Sequence, residues 1–306
     1  MTSHDSPTDA RRVIGVDVGG TKVLAAVVAR DGSIEARHER KTVLSSEDAL
    51  LGTLDEAVDE LRAGHDVAAI GLGLPSQIDQ RSGRALASVN VPLQDVEVRE
   101  RMRRRHGLPV AIDNDANAAT IGEWHVGAAR GARNVVMLTL GTGIGGGLIL
   151  DGKPFRGATG RGAELGHIVV RHDGSVCGCG GRGHLEALAS GLAADRAART
   201  LYGERATGHE LVDKGQAGEP EAVEALAEIG RCLGAGIAGL MNAFEPEIVV
   251  IGGGFARAGD LLLGPAREVV SREALASLRD LAPIVVAELG TDAGVIGAAM
   301  VAFEAA

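Results

Sequence analysis

Two stretches of this chain follow one plan. VIGVDVGGTKVLAAVV (13–28) and VVMLTLGTGIGGGLIL (135–150) each run from an apolar strand, through a turn rich in Gly and Thr, into a second apolar strand. Each reads as a β-hairpin whose tip has no room for bulky side chains. One such hairpin in each half points to two related domains facing each other over a cleft. At 306 residues the chain is long enough for two domains with separate cores. Aromatic residues make up only 2 %, so those cores must be packed with Val, Leu, Ile and Ala.

Apolar periodicity fills in the rest. Further strands are expected at 34–40, 67–73, 110–112, 248–251 and 284–286. Helices are expected at 47–63, 97–106, from 113 onward, and at 185–199, 221–243, 261–276 and 293–302. Strands mixed with long helices mean an α/β fold. The basic run Arg101, Arg103, Arg104, Arg105 and His106 falls in a last helical turn, where cations complement the helix dipole. It reads as that, not as a nucleic-acid patch. The net charge of -10 also argues against nucleic acid or an anionic membrane as partner. No apolar run approaches the roughly 20 residues of a transmembrane helix. The lead MTSHDSPTDARR lacks a signal-peptide core, and the three cysteines, two of them in CGC, suit a reducing cytoplasm.

Neither glycine turn fits the commonest nucleotide motifs. In the first, Gly15 and Gly20 have P-loop spacing, but Thr21-Lys22 stands where Lys-Ser/Thr is required. The second contains Gly141-x-Gly143-x-x-Gly146, yet a strand follows it where a dinucleotide site needs a helix. Both turns nevertheless offer unobstructed backbone N–H groups and the hydroxyls of Thr21 and Thr142, which together make a phosphate cradle. Asp17, in the first turn, is placed to hold Mg²⁺ through water.

Asp113-Asn114-Asp115 stands where a buried strand becomes a helix, at the carboxyl end of a sheet. Asp115 is a candidate general base and Asn114 a candidate substrate ligand. The competing reading is that Asp115 caps the helix. Further on, His167, Cys177, Cys179 and His184 form an H-x9-C-x-C-x4-H array bracketed by Glu164 and Glu186. Two thiolates and two imidazoles suit tetrahedral zinc.

Taken together, these segments resemble the ROK family of sugar kinases and repressors, within the actin/hexokinase/Hsp70-like (ASKHA) superfamily. The likeness is carried, in order, by GVDVGGTK (15–22), IDNDANAA (112–119), LGTGIGGG (140–147), GAELGH (162–167) with CGCGGRGHLEALASG (177–191), and IGGG (251–254). The resemblance implies a two-domain fold. Residues 1–115 with 292–306 would form a small N-terminal α/β domain, and 116–291 a larger one carrying the zinc. It implies ATP bound at Gly19, Gly20, Thr21, Lys22, Gly141, Thr142, Gly143, Gly253 and Gly254, with Mg²⁺ beside Asp17. Asp115 would take the proton of a hexose 6-hydroxyl. Asn90, Asn114, Glu164, His167 and Glu186 would bind the remaining hydroxyls, and zinc would be structural.

Glucose is the expected sugar. Mannose, fructose, N-acetylglucosamine and N-acetylmannosamine are the alternatives, and polyphosphate is the alternative donor. A sugar-responsive repressor is the expectation set aside, since 12 residues ahead of Val13 are too few for a DNA-binding helix-turn-helix. Family members form homodimers or homotetramers, and the Gly- and Ala-rich helix 221–243 is a candidate contact. Two positions depart from the family pattern. His184 stands where a fourth zinc-binding Cys is usual, and Ser76 stands where Gly usually follows Pro75.

Overall fold

The computed structural model describes residues 11–88 and 90–306; the lead 1–10 lies outside them. In chain order the first elements are β1 (Arg12–Val18), β2 (Lys22–Ala29), β3 (Ile34–Lys41), α1 (Glu47–Arg62), β4 (Ile70–Leu74), β5 (Gln77–Asp79), β6 (Arg84–Ala87), β7 (Gln94–Val96), α2 (Val98–His106), β8 (Val110–Asn114) and α3 (Asp115–Val126). Then come β9 (Val135–Leu140), β10 (Ile144–Leu150), β11 (Lys153–Pro154), α4 (Leu185–Ala189), α5 (Gly191–Tyr202), α6 (Gly208–Gln216), α7 (Pro220–Phe244), β12 (Ile248–Gly252), α8 (Asp260–Glu273), β13 (Ile284–Val286) and α9 (Ala293–Ala305). The chain divides into two compact units. Among the described residues the first holds those from 11 to 130, 156–162 and 291–306, and the second holds 131–155 and 163–290. Helix α3, past Asp115, therefore falls in the first unit.

Each unit is built on a five-stranded sheet, and the two sheets share one order. In the first it is β3-β2-β1-β4-β8, in the second β11-β10-β9-β12-β13. In both, an antiparallel hairpin supplies a strand to which two later strands add in parallel. The repeated hairpin plan in the sequence thus corresponds to a repeated sheet.

In the first unit, α9 lies against β1, β4 and α3 at backbone distance. Gly15 and Gly71 are register partners on neighbouring strands. A Cβ on Gly15 would overlap the carbonyl of Val295, and one on Gly71 the carbonyl of Ala298. Gly297 of α9 approaches the carbonyl of Ala118 in α3 equally closely. The opposite face of the sheet is covered by α1, whose Leu50, Leu51, Leu54, Val58 and Leu61 are buried with Val16, Val27 and Leu72. Ser46 caps α1 through the Ala49 N–H. The basic end of α2 makes ion pairs within the unit: Arg103 with Glu100, Arg101 with Asp55 and Arg105 with Asp59.

Three elements escape the periodicity. The hairpin β5–β6 with β7 forms a small sheet of strands only three or four residues long, too short for alternation to register. Helix α6 is short and polar, capped by Thr207. The single helix expected at 185–199 is broken at Ser190, whose hydroxyl accepts the Ala193 N–H and starts α5 afresh. In the second unit, three of the four glycines of α7 serve internal packing, while Gly239 is exposed with nothing within 4 Å. Gly230 and Gly234 let α8 approach as far as the backbone of Leu262 and Ala266.

Prediction: Gly297→Ala, which must push α3 and α9 apart, destabilises the protein by about 2 kcal/mol. Gly52→Ala, at a helix position with nothing within 4 Å, raises stability by up to about 1 kcal/mol. Chemical denaturation of both variants should give opposite signs.

Candidate active site

In the first unit the β1–β2 turn is a tight one. The Gly19 N–H donates to the carbonyl of Lys22 at 2.8 Å, and the Thr42 hydroxyl donates to the Gly19 carbonyl at 2.7 Å. Gly20, Thr21 and Lys22 are exposed at its tip, where Lys22 pairs with Glu39 at 2.8 Å. Beside it, at the carboxyl end of the sheet, β4 contributes Gly73, the register partner of both Asp17 and Asp113. A methyl group on Gly73 would stand 3.7 Å from Asp17 Oδ1 and 3.7 Å from the Asp115 Cα. The Asp17 carboxylate and the backbone of Asp115 thus both approach the space left by a residue without a side chain.

Asp17 also abuts the first turn of α9, where a Cβ on Gly294 would come within 2.5 Å of its carboxyl. Burial, reinforced by the negative charge of Asp115 and opposed by Lys22, pushes the Asp17 carboxyl up to about 7. A buried carboxylate beside a second acid is one whose charged form a nearby cation stabilises.

The helix cap at the strand end belongs to Asn114, not Asp115. Asn114 Oδ1 accepts the N–H groups of Ala116 (2.9 Å) and Asn117 (3.2 Å), and its Nδ2 donates to the Ser76 carbonyl at 3.4 Å. Asp115 is the first residue of α3. One residue earlier, Asp113 is fully buried and gathers four donors. These are the Asn114 N–H at 2.8 Å, Gln80 Nε2 at 3.3 Å, Asn117 Nδ2 at 3.1 Å and Arg156 Nε at 2.6 Å. Ser76 is buried, and its hydroxyl donates to the Ala87 carbonyl at 2.9 Å. Asn90 is exposed, with its N–H on the Ser88 hydroxyl at 3.3 Å.

In the second unit the four zinc candidates converge. The ligand atoms of His167, Cys177, Cys179 and His184 all lie within 4.8 Å of one another. Cys177 Sγ is 3.7 Å from His167 Nδ1, and Cys179 Sγ is 3.2 Å from His184 Nδ1. A tetrahedral zinc with ordinary bond lengths separates its N and S ligands by roughly 3.6 Å, so the donor set and spacing fit. Burial, with the Glu186 carboxylate adjacent, pushes the Cys177 thiol up to about 11. A cation among these ligands supplies the charge that favours the thiolate there.

Glu186 joins this cluster to the second glycine turn. Its Oε1 accepts from Cys177 Sγ at 3.3 Å and its Oε2 from the Ile144 N–H at 3.0 Å. A Cβ on Gly143 would overlap that carboxylate and displace it. Glu164 is exposed, just ahead of the single helical turn Leu165–His167, and its carbonyl accepts the His167 N–H at 3.0 Å.

The same turn opens on a cavity of about 240 Å³. Gly141 and Thr142 from the hairpin tip, Gly254, Phe255, and the starts of α5 and α6 wall it. The α5 backbone fastens the tip, with Gly191 N–H on the Gly141 carbonyl (2.8 Å) and Leu192 N–H on the Thr142 carbonyl (3.2 Å). Gly253, with φ +84°, turns the chain where a Cβ would strike the Leu140 carbonyl. Asp195 accepts the Gly208 N–H at 2.6 Å and ties α5 to α6.

Thus Asp17, Gly19 to Lys22, Asn114 and Asp115 gather in the first unit, and the metal ligands, Glu186, the second turn and Gly254 in the second. Reading the sequence missed Asp113 as a charge hub, Arg156 as its partner, and α6 with His209 as a cavity wall. Arg156 lies in a glycine-rich loop with no periodicity, so no local signal marked it.

The ROK family model matches residues 13–305. A glucokinase of Streptomyces coelicolor is 38 % identical over 309 residues, covering 95 % of this chain and 97 % of that one. The glucokinase of Thermotoga maritima is 37 % identical, with 95 % and 96 % covered. Among solved structures, a ROK glucokinase from Streptomyces griseus in complex with glucose and AMPPNP is 36 % identical, has a TM-score of 0.85, and covers 96 % of this chain and 99 % of its own.

Prediction: the fold binds a proton at Asp17 that the unfolded chain has released. The resulting stabilisation is complete below about pH 4, the unfolded value, and is lost as pH rises through about 7. Without divalent metal, Asp17→Asn should raise the thermal midpoint at about pH 8 and leave it near wild type at about pH 4. Equal shifts at both pH values would refute the electrostatic account.

Proposed function

The chain belongs to the ROK family, and from that premise we propose that it transfers the γ-phosphoryl group of ATP to the 6-hydroxyl of glucose. The observation that carries the reading is the arrangement at the end of β8. Asn114 takes over the helix cap, so Asp115 sits at the first position of α3 beside Asp17, with its Oδ1 accepting the adjacent Ala116 N–H at 2.9 Å. In the mechanism Asp115 accepts the proton of the attacking hydroxyl. Asn114 orients the sugar through the Nδ2 hydrogen it does not give to Ser76. Asn90, Glu164, His167 and Glu186 take the remaining hydroxyls. The glycine turns at 19–22 and 141–143 offer N–H groups to the phosphates, and the cavity beside Gly254 receives the adenosine. Mg²⁺, held through water by Asp17, supplies charge neutralisation when bound.

Zinc in the His167–Cys177–Cys179–His184 cluster is proposed to be structural. His167 turns Nδ1 toward Cys177, which leaves Nε2 for a sugar hydroxyl. We also propose a cytoplasmic homodimer or homotetramer that binds no nucleic acid. The net charge of -10 supports this last point, and among the described residues no helix is long and apolar enough to cross a membrane.

Prediction: a coupled assay over a hexose panel, with ATP and polyphosphate as donors, gives its highest kcat/KM with glucose and ATP. Asp115→Ala lowers kcat on the order of 1,000-fold or more while retaining glucose binding by calorimetry. Turnover by Asp115→Ala at the wild-type rate would end the assignment of the base. Metal analysis of protein purified without chelator should find about one zinc per chain. Stripping it should abolish activity with ATP binding impaired less than glucose binding. A zinc-free protein of full activity would overturn the structural role.

A further inference from the structure

The buried carboxylate of Asp113 takes no part in the chemistry described so far, yet it is the most heavily bonded side chain near the site. Three of its four donors are neutral, and Arg156 brings the counter-charge, with Nε at 2.6 Å from Oδ2. The Asp113 side chain is 1 % exposed and that of Arg156 22 %. Arg156 opens a short loop, 156–162, that is flanked on both sides in sequence by residues of the second unit but belongs to the first. The loop closes on itself, with the Gly162 N–H donating to the Arg156 carbonyl at 2.9 Å. It rests on the β5–β6 hairpin at Gly160, where φ is +92° and a Cβ would overlap the Ile78 carbonyl. Gln80, from that hairpin, donates to both the Ile112 carbonyl and Asp113 Oδ1, each at 3.3 Å.

What Asp113 does with its other lone pairs makes this pair more than a structural tie. Oδ1 accepts the Asn114 N–H and the Asn117 amide, one on each side of Asp115. Any rotation of that carboxylate displaces the helix cap and the first turn of α3 together. Removing Arg156 leaves a buried anion held by neutral donors alone, and such an ion reorients toward water or takes up a proton.

We propose that Arg156 is a positioning residue for phosphoryl transfer: through its ion pair with Asp113 it sets the strand end that carries Asn114 and Asp115. This rests on the reading of Asp115 as the base and Asn114 as a sugar ligand.

The test is steady-state kinetics of Arg156→Met, Arg156→Lys and the double variant Arg156→Met/Asp113→Asn, with active-site concentration and thermal melts measured in parallel. For Arg156→Met, kcat per active site falls on the order of 100-fold, because small misplacements of reacting groups cost that much. KM for glucose rises several-fold as Asn114 shifts, and KM for ATP is unchanged. Arg156→Lys keeps the charge without the guanidinium geometry and gives the same pattern at smaller amplitude. It carries the test if the Met variant does not fold. The double variant removes the unpaired anion and recovers most of the lost kcat.

The proposal is overturned if Arg156→Met (or, where that does not fold, Arg156→Lys) keeps kcat and both KM values within about twofold of wild type. It also falls if the loss is accounted for by the unfolded fraction. A rise in KM for ATP alone would make Arg156 a phosphate contact instead. Asp115→Asn, run alongside, separates the two readings. Retained turnover there removes the base assignment, while a glucose KM that responds to Arg156→Met and is restored in the double variant still reports the strand-end role.

Discussion

A helix can touch a sheet backbone-to-backbone only where side chains are missing from both sides of the contact. Gly15 and Gly71 provide that on adjacent strands, and α9 settles against them with its carbonyls over the gap. The rest of the first unit follows from this seat. Because α9 lies so low, its first turn reaches Asp17, and Gly294 leaves room for the carboxyl there. Because Gly297 meets α3 at Ala118, α3 is held against the same helix, and Asp115 at its start is held with it. Asp17 and Asp115 come together as a result, and burial, reinforced by the uncompensated negative charge of Asp115, pushes Asp17 up to about 7. A phosphoryl-transfer site needs that electrostatic deficit, since the cation it recruits neutralises charge on the transferred group.

In the second unit one side chain has a comparable place. Glu186 bonds the Cys177 thiol with one oxygen and the Ile144 N–H with the other, so the metal cluster and the second glycine turn share a carboxylate. Zinc held by the proposed ligands would stiffen the segment that carries His167 and Glu186 without entering the reaction. His184 stands with Nδ1 3.2 Å from Cys179 Sγ, so an imidazole nitrogen is in place as the fourth donor of the proposed zinc site. The other departure, Ser76, is also absorbed. Its side chain is buried, its hydroxyl satisfies the Ala87 carbonyl, and its own carbonyl meets the Asn114 amide.

Much of this was legible residue by residue. The two hairpins and the H-x9-C-x-C-x4-H array are local patterns, whereas the strands expected to end at Gly73 and Ile112 run on to Leu74 and Asn114; local patterns survive folding when backbone geometry demands a particular residue. Glycine at 253 belongs to that class, because its φ is +84° and a Cβ there would collide with the Leu140 carbonyl. The misreadings share a different cause. The expected helix at 185–199 continued an apolar period through Ser190, but the serine hydroxyl offered the backbone a better partner and restarted the helix. The strands β5, β6 and β7 are too short to show a period, and α6 is too polar.

By itself the sequence determined the α/β class and the duplicated sheet plan and marked the candidate groups for phosphate, metal and proton, since each rests on residue types at fixed spacing along a short segment. The tertiary structure alone decided how the side chains of Asp113, Asn114 and Asp115 divide their contacts. Three adjacent polar residues look interchangeable in a string of letters. They part ways when Arg156, 43 positions later, meets the first of them, and when the helix start takes the second for its cap. Such pairings depend on which long-range partner reaches a buried charge, and no spacing along the chain encodes that.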